Sequence, residues 1–205
     1  MNTAAINLRI LSAISAFSSK EETRYYLQGV CIEIEPRSIT YVVTDGHRLV
    51  AHREELGEHA PDNTLLGSFI IPSDKCRAVK LGKRDEPEAT ISGAGLDLTI
   101  THNATSVGFK CIDGAFPSWK RVVPATKPTG EVAQFNWDYA AAFQKFADAL
   151  GFGKPAICPS GQNPALVWFP QSPETVGVLM PIRSPDYAER VAPEWAAEPM
   201  LEAAA

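Results

Sequence analysis

Positive charge is short relative to negative in this chain: 19 Lys and Arg stand against 24 Asp and Glu, for a formal charge of -5. Gripping nucleic acid over a whole surface needs Lys and Arg to neutralise phosphates, so the balance argues against that class but not against a local basic face. Cysteine is far scarcer, with four residues. Cys31, Cys76, Cys111 and Cys158 stand far apart, with no CxxC and no Cys/His ligand spacing, which argues against a zinc site or a small disulfide scaffold and leaves free, largely buried thiols. No stretch approaches the roughly 18–20 apolar residues of a membrane span. Residues 1–5 lack the basic and apolar segments of a secretory signal. A soluble, cytoplasmic protein without membrane association is expected.

Catalytic patterns are also missing. Neither GxSxG nor an activated Cys pattern occurs. Asp45 and His47 could pair as orienter and general base, but on a strand both would face the same side with no nucleophile nearby, so no enzyme is expected. His47, His52, His59 and His102 match no ligand spacing and read as scattered surface histidines; no metal and no cofactor are expected.

What the chain has is apolar content, 45% of 205 residues, enough for one large or two small domains with real cores. Leu8, Leu11, Ile14 and Phe17 recur at intervals of three and predict a helix over 6–17. Alternation from Tyr25 through Ile34 predicts a strand, with a turn at Pro36-Arg37-Ser38 and further strands over 39–44 and 49–52. In that reading Tyr25 and Tyr26 alternate across the strand, so one of them is core packing. A second cycle predicts a strand over 68–72, Ser73-Asp74 as helix cap, a helix to about Leu81, and strands over 88–91, 96–101 and 105–112. A third predicts a helix over 137–150, with Tyr139, Phe143, Phe146 and Leu150 on one face, then strands over 154–159, 165–169 and 175–180. The chain thus reads as an α+β protein of three repeated β-α-β-β-β units, with a linker at 125–131 and an acidic, Pro/Ala-rich tail at 184–205.

Two segments bracket the first strand pair: Arg24-Tyr25-Tyr26-Leu27-Gln28-Gly29 and Thr44-Asp45-Gly46-His47-Arg48-Leu49. Together with Ile70-Ile71-Pro72 before a helix, Asp113 to Pro124, Phe135-Asn136-Trp137-Asp138-Tyr139 and Val178-Leu179-Met180-Pro181-Ile182-Arg183, they resemble the bacterial sliding clamp family, the β subunit of DNA polymerase III. The resemblance covers roughly nine tenths of the chain. It implies the DNA-clamp fold, with 5–124 similar to the family's middle domain and 132–183 similar to the second half of its last domain. The first domain and half of the third have no counterpart, so a shortened clamp is expected.

By the same resemblance, a hydrophobic groove for short clamp-binding peptides of polymerases, clamp loaders and repair proteins is implied at Arg24, Tyr26, Leu27, Thr44, Gly46, His47, Arg48 and Leu49. Pro117, Arg121, Val122, Asn136, Tyr139, Val178, Met180, Pro181 and Arg183 would complete it. The residue types suit that chemistry without the family: Leu27, Leu49, Val122, Val178 and Met180 make apolar pockets, while Arg24 and Arg183 hold acidic or amide groups at the rim. On periodicity alone Leu49, Val122 and Val178 are ordinary core. Sequence-independent contact with double-stranded DNA would fall to Lys75, Arg77, Lys80, Lys83 and Arg84, for which the plainer reading is a solvated helix end. With three units per chain, four copies would supply the twelve of a clamp ring, and a homo-oligomer, at least a dimer joined through 132–183, is expected. Three roles stay open: a reduced clamp acting as processivity factor, a soluble competitor for clamp-binding peptides, and a regulator joining the host clamp. Pro199-Met200-Leu201 in the tail could lie in the groove as an internal competitor.

Overall fold

A computed structural model describes residues 2–56, 64–82 and 84–183. His59, Lys83 and the tail, with Pro199-Met200-Leu201, lie outside the described residues. The first element is a strand, β1 (Asn2–Asn7), where the spacing predicts the start of a helix. Ile6 is buried on that strand, and α1 (Leu8–Ile14) begins only after it. The switch is made by Asn7, whose side chain accepts from the N–H groups of Arg9 (3.1 Å) and Ile10 (3.2 Å) and so satisfies the first free donors of the helix. Leu8, Leu11 and Ile14 are buried as the periodicity requires, and Phe17 ends a short 3₁₀ turn, Ser15–Phe17.

Residues predicted to open the next strand instead form a 3₁₀ turn, Glu22–Leu27, so the alternation of Tyr25 and Tyr26 across a strand is corrected. Strand β2 (Gly29–Glu35) opens at Gly29, where a side chain would meet the Ile71 carbonyl at 2.4 Å, so the close pairing with β5 needs glycine there. Then come β3 (Ser38–Thr44), β4 (Arg48–Glu55) and β5 (Gly67–Pro72). The helix predicted to Leu81 is a single turn, α2 (Ser73–Cys76), and Ser73-Asp74 do not cap it. Ser73 spends its hydroxyl on the Gln28 carbonyl (2.7 Å), and Asp85 folds the following chain back by accepting from the Gly82 N–H (2.7 Å).

Strands β6 (Glu88–Ala94), β7 (Asp97–His102) and β8 (Thr105–Lys110) follow. After a long irregular segment, α3 (Trp137–Leu150) leads to β9 (Ala156–Ser160), β10 (Asn163–Trp168) and β11 (Thr175–Leu179).

Two antiparallel sheets result, one ordered β1-β6-β7-β8 and the other β5-β2-β3-β4-β11-β10-β9. The larger sheet is joined in its middle by β4 and β11, in register Leu49 to Val178. Its strands alternate between two buried faces. Val30, Ile32, Tyr41, Val43, Val50, Val167 and Leu179 belong to the core beneath the helices, where Phe143 of α3 packs 5.0 Å from Phe17. Cys31, Val42, Leu49, Ala51, Ile70 and Val178 belong to a smaller core on the opposite face, covered by Tyr26, Ile112, Phe116, Trp119 and Val123. Burial pushes the thiols of Cys31 and Cys111 up to about 11 and that of Cys76 up to about 12, so all three stay protonated at neutral pH. No helix among the described residues is long and apolar enough to cross a membrane.

Candidate functional site

The turn from β3 into β4 is held by its own polar side chains. The Asp45 carboxylate accepts from the N–H groups of His47 (2.9 Å) and Arg48 (3.0 Å), while Thr44 Oγ1 accepts from Gly46 N–H (3.0 Å) and donates to the Arg48 carbonyl (2.8 Å). Gly46 takes φ +92, a conformation that strains any other L-residue. Asp45 and His47 therefore occupy a turn rather than one face of a strand. The carboxylate also binds Arg48 Nε at 2.9 Å, so the contacts it makes go to the turn's backbone and to Arg48. The Arg48 guanidinium lies 4.8 Å from the Phe17 ring centre and 4.9 Å from that of Tyr139, tying the turn to the 3₁₀ turn after α1 and to α3.

Beside this turn the outer face of the joined sheet opens into a cavity of about 180 Å³. Leu27, Leu49 and Val178 line it from the core, and Thr44, Gly46, His47 and Arg48 line it from the turn. Met180, whose N–H donates to the His47 carbonyl at 2.8 Å, brings the end of β11 alongside. Across from these stand Pro117, Ser118, Trp119 and Val122. The surface is mostly apolar: Leu27, Leu49 and Val178 are buried, Trp119 and Met180 half-buried, and Val122 and Pro117 exposed at its edge.

Seven predicted residues lie off that lining. Tyr139 is one step away, its ring stacked on His47 at 5.6 Å. Arg24 stands against Gly46 but is exposed and ion-paired with Glu21 at 3.2 Å. Tyr26 helps cover the outer core, and Asn136 caps α3 by accepting from Asp138 N–H at 2.9 Å. Pro181 and Arg183 continue from Met180, and Arg121 is exposed on the 3₁₀ turn Trp119–Val122. Ser118 and Trp119 were not among the predicted residues. That 3₁₀ turn sets residues three apart on one side, so Trp119 and Val122 reach the cavity together. The i, i+3 apolar pair after Pro117 was the available signal. The Trp119 indole donates to Glu33 Oε1 at 3.1 Å, which fixes the ring across the sheet.

The histidines need correcting. His52 and His102 are buried, not on the surface. His52 Nδ1 is 2.7 Å from Thr175 Oγ1 at the β4–β11 joint, and burial holds its pKa below 6.5 against the opposing pull of Glu54 and Glu174. His102 Nε2 lies 2.9 Å from the Glu86 carbonyl.

The basic residues do not share a helix, since α2 ends at Cys76. Lys75 is paired with Asp74 at 2.8 Å. Arg77 and Lys80 line a cleft of about 420 Å³ with Arg9 and the end of α3. Arg84 is exposed on the following turn. Arg9 donates to the carbonyls of Gly82 (3.1 Å) and Asp85 (2.7 Å).

Residues 6–118 match the family model described as DNA polymerase III beta subunit, central domain, which is more than half of the chain. The chain belongs to the DNA polymerase III beta subunit family. Among curated relatives of this family, the beta sliding clamp of Haemophilus influenzae is 29% identical over 137 residues, 63% of this chain and 34% of that protein. The beta sliding clamp of Escherichia coli K12 is 29% identical over 118 residues, 57% of this chain and 31% of its own length. The matched stretch thus spans about a third of these relatives. Among solved structures, the DNA polymerase III subunit beta of Pseudomonas aeruginosa superposes with a TM-score of 0.70 at 17% identity, over 90% of this chain and 67% of that one. The Bacillus subtilis sliding clamp gives 0.72 at 14% identity, over 89% and 64%. The fold is therefore the α+β DNA-clamp fold.

Proposed function

We propose that this protein is a sliding-clamp-like accessory protein of DNA replication or repair, non-catalytic, whose cavity at the β4–β11 joint binds short clamp-binding peptides of polymerases, clamp loaders or repair proteins. The observation that carries this reading is that ten of the residues implied by the family motifs, from Leu27 to Met180, line one small apolar cavity. Such a cavity takes an aliphatic or aromatic anchor side chain, while the turn's backbone and His47 orient the peptide. Residues 5–124 would act as one clamp-like domain and 132–183 as a half domain that completes its groove. A labelled peptide carrying the clamp-binding motif of a bacterial replicative polymerase is expected to bind saturably with Kd of about 1–10 µM. No saturable binding at about a hundred times that concentration would contradict the reading.

Action as a processivity factor on DNA is the fuller form of this proposal, with Arg77, Lys80 and Arg84 meeting phosphates. A second reading, a non-encircling competitor for such peptides or a regulator of the host clamp, is favoured by the charge of -5 and by the pairing of Lys75 with Asp74. Retention on nicked circular DNA that is lost on linearisation supports the first; peptide binding without retention supports the second.

A further inference from the structure

The chain leaves the described residues at Arg183, three positions beyond Met180 on the cavity lining. Twenty-two residues follow, 184–205, in which Asp186, Glu189, Glu194, Glu198 and Glu202 face a single Arg190. That segment is strongly anionic. Beside the cavity it departs from, Arg121 and Arg183 are exposed, whereas Arg24 and Arg48, which reach the β3–β4 turn, are already paired with Glu21 and Asp45. Near the far end, between Glu198 and Glu202, lie Pro199, Met200 and Leu201, two adjacent apolar side chains after a residue of fixed φ. Unbranched methionine fits irregular apolar space readily.

We propose that Met200 and Leu201 of the same chain occupy the cavity between Leu27, Leu49 and Val178, as an internal competitor for outside peptides. This rests on the peptide-groove reading and adds its regulation. Reach is not a barrier. Met200 stands seventeen positions beyond Arg183, and a flexible chain of that length would span about 22 Å on average. Tethering through so short a segment gives an effective concentration on the order of 1 mM. An intrinsic Kd of about 0.1 mM would then leave the groove mostly occupied and weaken an outside peptide roughly tenfold. Acidic side chains flanking the anchor pair would meet Arg121 and Arg183, so high salt would release the tail.

The chain has three methionines, Met1, Met180 and Met200, so carbon-13 labelling of methionine methyls in the full chain gives three signals. The Met200 signal is expected away from its position in a synthetic peptide of residues 191–205, and Leu201→Asp is expected to shift the Met180 signal. The same substitution should tighten binding of the polymerase-derived peptide about tenfold. A Met200 signal coincident with that of the free peptide, with Met180 indifferent to Leu201→Asp, overturns the inference whether or not an outside peptide binds. If the two methyls respond as expected but no outside peptide binds, the internal contact stands and the broader peptide-binding reading falls.

Discussion

His52 sits where the first and last parts of the chain meet. It lies opposite Thr175 in the β4–β11 register, bonded to its hydroxyl and stacked 5.7 Å from the ring of Phe152. Because burial keeps its folded pKa below 6.5, the unfolded chain takes up the proton first as pH falls. The stability contributed by neutral His52 is therefore complete above pH 6.5 and is lost as pH drops from there through the folded value. Thermal melts of the native protein should show Tm falling over that window, and His52→Gln should lack that part of the fall. A Tm profile unchanged by the substitution would remove His52 from the joint's energetics. At this scale the sequence is uneven in what it discloses. Leu27, Leu49 and Val178 are readable as apolar positions, but the burial of His52 and His102 is not, because each is satisfied by a partner, Thr175 or Glu86, far away in the chain or across a turn. Trp119 falls within the Asp113–Pro124 segment, yet its place on the cavity depends on a 3₁₀ turn whose only local sign is the apolar spacing of Trp119 and Val122.

Among the elements, α3 is the clearest from sequence and the most consequential. Its apolar spacing is long enough to outweigh any alternative, Asn136 caps its start, and Gly151 ends it with φ +72. Its docking is less visible, since it needs Gly177 on β11: a Cβ there would lie 2.8 Å from both the Phe143 ring and Val167 Cβ. Gly177→Ala should therefore push α3 off the sheet and cost about 1–3 kcal/mol. Urea denaturation measures the loss, and a midpoint equal to the native one would show that the packing is looser than the geometry implies. Short elements are where sequence reading failed. The four-residue α2 and the end of the 3₁₀ turn over Glu22–Leu27 meet in a tertiary hydrogen bond, from Ser73 to the Gln28 carbonyl, that neither local sequence announces. Only the run from Leu8 to Phe17 keeps the three-residue spacing; Ile6, two positions before Leu8, lies outside it and pairs within β1 against β6.

Over the whole molecule, residues distant in the chain make one seven-stranded sheet, and the cavity lies at its seam. The motifs disclosed the family and most of the cavity lining, whereas the pairing of β4 with β11 that assembles it is a long-range contact without a local signature. Residues 132–183 leave large apolar groups open, with Trp137 82% and Trp168 51% exposed, as expected of a surface covered in an assembly. Light scattering should give at least twice the 22.2 kDa of one chain. A mass of one chain would confine the protein to non-encircling roles.

Binding at the seam is tested most directly by titrating the polymerase-derived peptide against three versions of the full chain. The native protein should bind it at micromolar strength, Val122→Glu at the cavity rim should weaken it at least tenfold, and Thr105→Glu on the exposed β8 should leave it unchanged. Equal affinity for all three, or no binding to any, would contradict a peptide groove at this site.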